Sequence, residues 1–151
     1  MSVRERLTEL GLELPAVAKP LAVYVPAVRT GNLVYTSGQL PLQGGELPQT
    51  GKVGAEVTLE EAKALARICA LNALAAVDAL VGIDSVVRIV KVVGFVASAP
   101  GFSGQPGVVN GASELFGRVF GEAGAHARSA VGVSELPLDA PVEVEIIVEV
   151  A

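Results

Sequence analysis

The most regular feature of the chain is a strict alternation of apolar and polar residues close to its end. From Val142 to Val150 every second residue is valine or isoleucine, and glutamates occupy three of the positions between them. A period of two is typical of a β-strand that buries one face. The pattern therefore predicts a strand that packs its valines on a core and turns Glu143, Glu145 and Glu149 the other way.

Shorter apolar runs predict further strands. Residues 21–28 and 33–37 flank Gly31-Asn32, a turn pair that is typical of a β-hairpin. Residues 86–98 are apolar on both faces, which indicates a strand inside the sheet, and Gly94 within them suggests a bulge. A sheet of this kind needs helices to cover it.

Two helices are predicted from capping residues that precede apolar residues at helical spacing. Ser2 caps a short helix that Gly11 ends. Thr58 and Glu61 have the spacing of a capping box, and the helix that they begin runs to about residue 80. Its packing face is one stripe of small and apolar side chains: Ala62, Ala66, Cys69, Ala73, Val77 and Leu80.

A third helix is predicted at residues 112–123, with Asn110 as its cap. The preceding residues, 99–109, are rich in glycine and proline and are interpreted as a loop. His126 lies in the turn after this helix. A lone histidine there is either a general base or, as is more common, a surface or capping residue.

Composition narrows the class of protein. The 151 residues suit one domain, with an accessory extension at 1–19 and a core at 20–151. The net charge of −5 argues against nucleic acid, because phosphate-binding proteins present a basic face. A single cysteine excludes an internal disulfide, and one histidine with one cysteine cannot form a zinc site. We interpret Cys69 as a buried, inert thiol rather than a nucleophile.

The sequence patterns also bear on location. No apolar run is expected to span a membrane, and the charged, amphipathic start does not match a signal peptide. A cytoplasmic protein is therefore expected. Nucleotide-binding, zinc-protease and nucleophile-elbow motifs are missing from the sequence, so simple motif matching assigns no activity.

Two charged residues mark the strongest candidate chemistry. Arg128 begins a strand predicted at residues 129–133, and Glu143 begins the next strand beyond a proline-rich turn. If these two strands lie side by side, a guanidinium and a carboxylate come near each other at a strand end. The guanidinium suits a substrate carboxylate and the glutamate can take a proton from water, but a surface salt bridge gives the same pattern.

Three blocks of sequence carry a family resemblance. The first runs from Tyr24 to Pro41 and contains the pattern GN…TSGQ, and the second is Asn110 with the helix after it. The third is the run ARS that begins at Ala127, followed by LP and then by VEVE at residues 142–145. Together they resemble the YjgF/YER057c/UK114 family, also called the Rid (reactive intermediate deaminase) family, over most of the chain from Tyr24 onward.

The resemblance implies an α+β fold of the chorismate mutase type, a mixed β-sheet with two helices packed on one face. It also implies a homotrimer around a central barrel, with a small carboxylate-bearing ligand bound at each subunit interface. A trimer would cover an apolar sheet face that is otherwise exposed.

The typical deaminases of this family hydrolyse 2-imino acids to 2-keto acids and ammonia. Carried over by position, Arg128 holds the substrate carboxylate and Glu143 activates the attacking water. Four further matching positions line the cleft: Tyr24, Ser37, Gly38 and Asn110. Hydrolysis of an imine is an easy reaction, so neither a metal nor an organic cofactor is required.

The chain departs from the typical deaminase pattern in four places. Ala130 replaces a cysteine, His126 replaces a common proline, the loop at 99–109 is longer, and the extension at 1–19 is additional. These features resemble the atypical branch of the family. They keep two other functions open: a non-catalytic trimer that binds a carboxylate metabolite, and an endoribonuclease, which the acidic charge disfavours.

Overall fold

A computed structural model describes residues 1–17 and 23–151. Its helices and strands, in chain order, are α1 (Val3–Glu9), β1 (Ala27–Thr30), β2 (Leu33–Thr36), α2 (Leu59–Val81), β3 (Val86–Ala97), α3 (Gln105–Phe120), β4 (Ala127–Val133) and β5 (Val142–Val150). The strands form one five-stranded sheet in the order β1-β2-β5-β3-β4. The predicted α+β fold is confirmed, with α2 and α3 packed together over the sheet.

The sheet is mixed. The predicted hairpin is confirmed, with β1 antiparallel to β2, but its first strand begins at Ala27. Residues 23–26 precede that strand, and residues 21–22 of the prediction lie outside the described part of the chain. Pro26 lacks a backbone N–H and marks the strand's start. β3 runs antiparallel to β5 and parallel to β4, so it separates the last two strands.

Helix α2 is the central core helix. Its predicted capping box is present, because the Thr58 hydroxyl accepts from the Glu61 N–H and the Glu61 carboxylate accepts from the Thr58 N–H. The predicted stripe is buried as far as Val77, but Leu80 in the last turn is 46% exposed. By length and composition alone α2 is long and apolar enough to cross a membrane, but about half of its apolar stretch is buried against the rest of the fold, as in a core helix.

Helix α3 begins earlier than predicted. It starts at Gln105 rather than 112, because Pro106 in the first turn has no N–H to satisfy and suits a helix start. The run at 99–109 is therefore only partly a loop, and Asn110 is an exposed residue within the helix, not its cap. Gly94 lies in regular register with β5 and marks no bulge; a Cβ there would collide with Val109.

Helix α1 closes one end of the two-helix layer. The predicted Ser2 cap is confirmed as a capping box with Glu5, and Leu7 is buried in the core. Arg4 ties the helix down through its backbone N–H to Asp84 and its guanidinium to Asp78. The extension is thus an integral part of the fold as far as the structure describes it.

The two faces of the sheet differ. Val144, Ile146 and their neighbours on β5 are buried under the helices, as the alternation predicts. The opposite face, here called the open face, carries the β5 glutamates and exposed apolar side chains, among them Tyr35 at 40% and Val131 at 44% exposure. Half-exposed apolar residues between carboxylates are typical of a surface that another molecule covers.

Candidate functional site

Arg128 lies on the face of the sheet that the helices cover. It pairs with the buried Val92 on β3, so its side chain points toward α3. One terminal nitrogen, Nη1, donates to Asn110 Oδ1 at 2.8 Å and to Ser113 Oγ at 3.2 Å. Asn110 and Ser113 are three residues apart on α3 and therefore share one face of the helix. In residues 1–17 and 23–151, Nε and Nη2 of Arg128 have no hydrogen-bond partner.

His126 is hydrogen-bonded to Ser113 and so joins this group of side chains. His126 Nε2 lies 2.9 Å from Ser113 Oγ, and its Nδ1 lies 2.6 Å from the carbonyl oxygen of Gly124. The ring also contacts Phe116 edge to face, with centroids 6.0 Å apart. His126 is therefore a partly buried residue bonded to its neighbours, with its Nε2 turned to Ser113. We call Arg128, Asn110, Ser113 and His126 the arginine cluster.

Glu143 lies on the open face, half-buried at the start of β5. Burial raises the pKa of its carboxyl above the ordinary value, and the negative charge of Glu145 raises it further. Among the described residues no hydrogen bond or ion pair reaches this carboxylate. A carboxylate that is poorly solvated and without a cationic partner is suited to accept a proton.

The segment after β2 shapes the surroundings of Glu143. The register between this segment and β5 shifts by one residue between the Tyr35–Ile147 and Gln39–Val144 pairs. The shift brings Gly38 over the carboxylate, and a Cβ on Gly38 would lie 2.5 Å from Glu143 Oε1. Glycine at this position is therefore explained by the close approach of the glutamate.

Ser37 donates hydrogen bonds to the backbone of the residues that precede β1. Its hydroxyl donates to the Val25 carbonyl at 2.6 Å, and its N–H donates to the Pro26 carbonyl at 2.8 Å. These two bonds hold the residues around Tyr24 against the end of β2. Tyr24 is 46% exposed, so its ring does not belong to the core. We call Glu143, Gly38, Ser37 and Tyr24 the glutamate cluster.

The two clusters do not meet within one chain. Arg128 is in register with Val92, whereas Glu143 is in register with Phe95, and the side chains point to opposite faces of the sheet. Two strand spacings and three residues along β3 separate their Cα atoms by roughly 14 Å. The expectation that their strands lie side by side is wrong for the single chain, because β3 lies between them.

Cys69 has no part in either cluster. It is fully buried, and its sulfur lies 3.7 Å from the Val142 carbonyl. Burial raises the pKa of the thiol well above its ordinary value, so the reactive thiolate is suppressed. In the described ranges no group of three or more His, Cys, Asp or Glu side chains is arranged to hold a metal ion.

Ser113 is the site residue that the sequence patterns missed. The signal was its spacing of three from Asn110, which places both side chains on one helical face. This spacing is informative only if α3 begins at Gln105, whereas the glycines and the proline at the start of α3 favour a loop.

The comparisons with known proteins agree with this architecture. The family model described as Endoribonuclease L-PSP matches residues 15–150. Protein TCP17 of Trypanosoma cruzi is 46% identical over 149 residues, 97% of this chain and 93% of that protein. The crystal structure of Atu1372 from Agrobacterium tumefaciens, a protein of unknown function, is 46% identical with a TM-score of 0.90, covering 99% of this chain and 92% of that one.

A more distant solved structure carries a ligand. Escherichia coli TdcF, crystallised with bound serine, is 26% identical with a TM-score of 0.63, covering 91% of this chain and 93% of that one. The family model spans nearly the whole described fold, and the sequence blocks that led to Arg128 and Glu143 fall inside it. The chain belongs to the Endoribonuclease L-PSP family, which is the YjgF/UK114 or Rid family of the sequence resemblance.

Proposed function

We propose that the protein is a Rid-type hydrolase that converts 2-imino acids to 2-keto acids and ammonia. The observation that carries the proposal is the hydrogen bonding of the Arg128 guanidinium. Two oxygens hold its Nη1 in place, while the Nε–Nη2 edge has no partner among the described residues. That edge presents two parallel N–H groups, which match the two oxygens of a carboxylate.

Glu143 supplies the second requirement, a group that moves protons. In the proposed reaction a water oxygen attacks the imine carbon while Glu143 accepts a proton from that water. The electrons of the C=N bond move to nitrogen, which takes the proton back from Glu143, and a carbinolamine results. Glu143 then transfers the hydroxyl proton to nitrogen, the C–N bond breaks, and ammonia and the 2-keto acid leave. A raised pKa suits a group that must both accept and return a proton.

The separation of the two residues within one chain supports a site shared between subunits. The proposed assembly is a homotrimer in which the arginine cluster of one copy faces the glutamate cluster of the next. The exposed apolar side chains of the open face, including Tyr35 and Val131, would be buried by such an assembly. Tyr24, Ser37, Gly38 and Asn110 would then line the same cleft as Arg128 and Glu143.

A second candidate is a trimer that binds a small carboxylate metabolite without turning it over. The serine bound to TdcF favours this function, because serine carries a carboxylate but no imine. Ala130, where typical deaminases carry a cysteine, is compatible with both functions. The two differ in one observable: the binding protein would take up a 2-keto acid and leave the rate of imine hydrolysis at background.

A polyanionic RNA substrate has less support. The arginine cluster contains a single arginine, and on the open face Glu143, Glu145 and Glu149 lie beside Arg88 and Lys91. Neither surface is the continuous basic face that a phosphate backbone favours. The family description names an endoribonuclease, but this geometry favours one small acid per site.

Subunit complementation tests the proposal. Arg128→Ala and Glu143→Gln variants, each with its own affinity tag, would be co-expressed, and mixed oligomers would be isolated through both tags. Activity would be measured on freshly generated 2-iminopropionate. At substrate concentrations below KM each variant alone should have little activity. In Arg128→Ala the cause is binding weakened about a hundredfold, because removing one partner of a charge pair costs about 3 kcal/mol. In trimers that carry both tags, one of the three sites would regain both residues.

The control is Arg118→Ala, which removes an exposed arginine from α3 outside both clusters. Mixtures of this variant with wild type should keep full activity. Wild-type protein that binds a 2-keto acid but does not accelerate imine hydrolysis would select the binding function. Mixed oligomers that stay inactive although each parent folds would refute the shared site.

A further inference from the structure

The hydrogens of the arginine cluster can be assigned from its hydrogen-bond partners. The Gly124 carbonyl only accepts, so His126 Nδ1, 2.6 Å away, must carry a proton and donate it. In the neutral imidazole Nε2 is then an acceptor. Ser113 Oγ, 2.9 Å from Nε2, therefore donates its hydroxyl proton to the histidine.

This direction leaves the lone pairs of Ser113 Oγ for Arg128. The hydroxyl proton is held on the histidine side, so the oxygen presents only acceptor capacity to Nη1 at 3.2 Å. The bonds thus run in one direction, from Arg128 through Ser113 and His126 to the Gly124 carbonyl. Edge-to-face packing on Phe116 fixes the plane of the imidazole and hence the position of both ring nitrogens.

These hydrogen bonds, here called the relay, determine which edge of the Arg128 guanidinium is available to a ligand. Nη1 has two hydrogens, and Asn110 Oδ1 and Ser113 Oγ take one each. With both hydrogens engaged, rotation about the last side-chain bonds is restricted. The remaining bidentate edge is the one formed by Nε and Nη2.

We propose that Ser113 and His126 are positioning residues for Arg128, which fix its guanidinium through a one-directional hydrogen-bond relay so that the Nε–Nη2 edge receives the carboxylate of the ligand. The role of the ligand rests on the proposed function. The relay itself is a property of the protein without ligand. The proposal gives a role to His126, which replaces the proline common at its position, and to Ser113, which no sequence motif identified.

The relay is tested first by nitrogen NMR on tag-free protein. The chain contains one histidine, so the imidazole signals need no assignment. The expected result is the neutral Nδ1–H tautomer in the wild type at mildly alkaline pH, and a changed Arg128 Nε signal in Ser113→Ala. The Nε2–H tautomer, or an Arg128 signal that is the same in both proteins, would overturn the relay whether or not any ligand binds.

Ligand affinity is tested second, with pyruvate as the probe. Ser113→Ala should weaken binding about tenfold, the effect of one hydrogen bond to a charged group, and should raise KM with little change in kcat. Ser113→Thr, which keeps the hydroxyl, should restore affinity, and His126→Phe, which keeps ring packing on Phe116, should not. Ser134→Ala, on the exposed turn after β4, is the matched control.

The two tests separate the two proposals. A purely structural role would lower Tm in Ser113→Ala and leave the affinity for pyruvate unchanged, which would overturn the positioning role. Wild-type protein that neither binds pyruvate nor hydrolyses 2-iminopropionate would refute the proposed function instead. In that case the histidine tautomer and the Arg128 signal still decide the relay.

Discussion

The arginine and glutamate clusters differ in the hydrogen bonding of their charged groups. Arg128 is held by two oxygens on α3, and a second layer of hydrogen bonds fixes one of those oxygens. Glu143 has no such partner among the described residues, is half-buried, and faces the like charge of Glu145. One half of the candidate site is therefore arranged to hold an anion firmly, and the other half keeps a carboxylate ready to take up a proton.

The difference indicates a division of labour. A group that anchors a substrate benefits from rigidity, because restricting it before binding reduces the entropy lost on binding. A group that transfers protons benefits from a pKa close to the working pH. Substitutions in the arginine cluster are accordingly expected to change affinity, and substitutions in the glutamate cluster to change turnover.

The largest expected effect is that of Glu143→Gln. Turnover of 2-iminopropionate should fall by about 10²- to 10⁴-fold, the usual contribution of a positioned general base, while pyruvate affinity is kept. If Glu143→Gln instead loses pyruvate affinity as Arg128→Ala does, the division between an anchoring arginine and a proton-transferring glutamate is wrong. Glu149→Gln, on the same face of the same strand, is the matched control and should keep wild-type turnover.

The same variant should not lose stability at neutral pH. The folded-state pKa of Glu143 is raised, so the fold favours its protonated form. That contribution is complete below the ordinary pKa of a glutamate and is lost as the pH rises through the raised folded pKa. At pH 7 the wild type carries an unfavourable charge that glutamine lacks, and Tm of Glu143→Gln should equal or exceed that of wild type.

The next effect in size is that of Gly38→Ala. The added Cβ would lie 2.5 Å from Glu143 Oε1, so the carboxylate must move. A displacement of about 1 Å in a catalytic group can lower turnover by about tenfold to a hundredfold, whereas stability should change little because the atom that must move is the end of a flexible side chain. Steady-state kinetics and thermal unfolding measure the two effects separately.

Gly117→Ala is the matched control for that substitution. Gly117 lies in α3 with open space around the position of a Cβ, so alanine should stabilise the helix by about 0.5–1 kcal/mol. Turnover should stay at the wild-type level. If Gly38→Ala also kept wild-type turnover, Glu143 could not be the group that limits the reaction.

The sequence predicted much of the fold because its patterns are local. The alternation at residues 142–150 and the capping box at Thr58 depend on neighbours within a few positions, and both are confirmed. The predicted start of α3 at residue 112 is wrong, because glycine and proline before it are as typical of a loop as of a helix start. Gly94 and Gly111 are explained only by how closely α3 approaches β3 and α2, which no local pattern contains.

The residues of the candidate site can be proposed from the sequence, but their arrangement cannot. Arg128 and Glu143 were identified by their positions at strand starts and by the family resemblance, and their roles stay predictions. Their separation follows from strand order, with β3 between β4 and β5, and strand order is a property of the whole chain. The relay through Ser113 and His126 depends in the same way on α3 lying beside β4, which brings residues of both elements within hydrogen-bond distance.

The smallest expected effect is that of Glu145→Gln, and it is the sharpest test of how the glutamate cluster works. Removing the neighbouring charge lowers the pKa of Glu143, since repulsion from Glu145 contributes to raising it. The acidic limb of the pH profile of kcat/KM should therefore move to lower pH, with little change in the rate at the plateau.

Burial is the larger cause of the raised pKa, so the shift should be partial, and the limb should stay above the position expected for an exposed glutamate. Added salt should move the wild-type limb in the same direction, because it screens the repulsion between two partly exposed carboxylates. In Glu145→Gln the same salt should have little effect. A limb that ignores both the substitution and the salt would mean that the group controlling the rate is not Glu143, and the contrast between an anchored arginine and a proton-transferring glutamate would then lose its catalytic half.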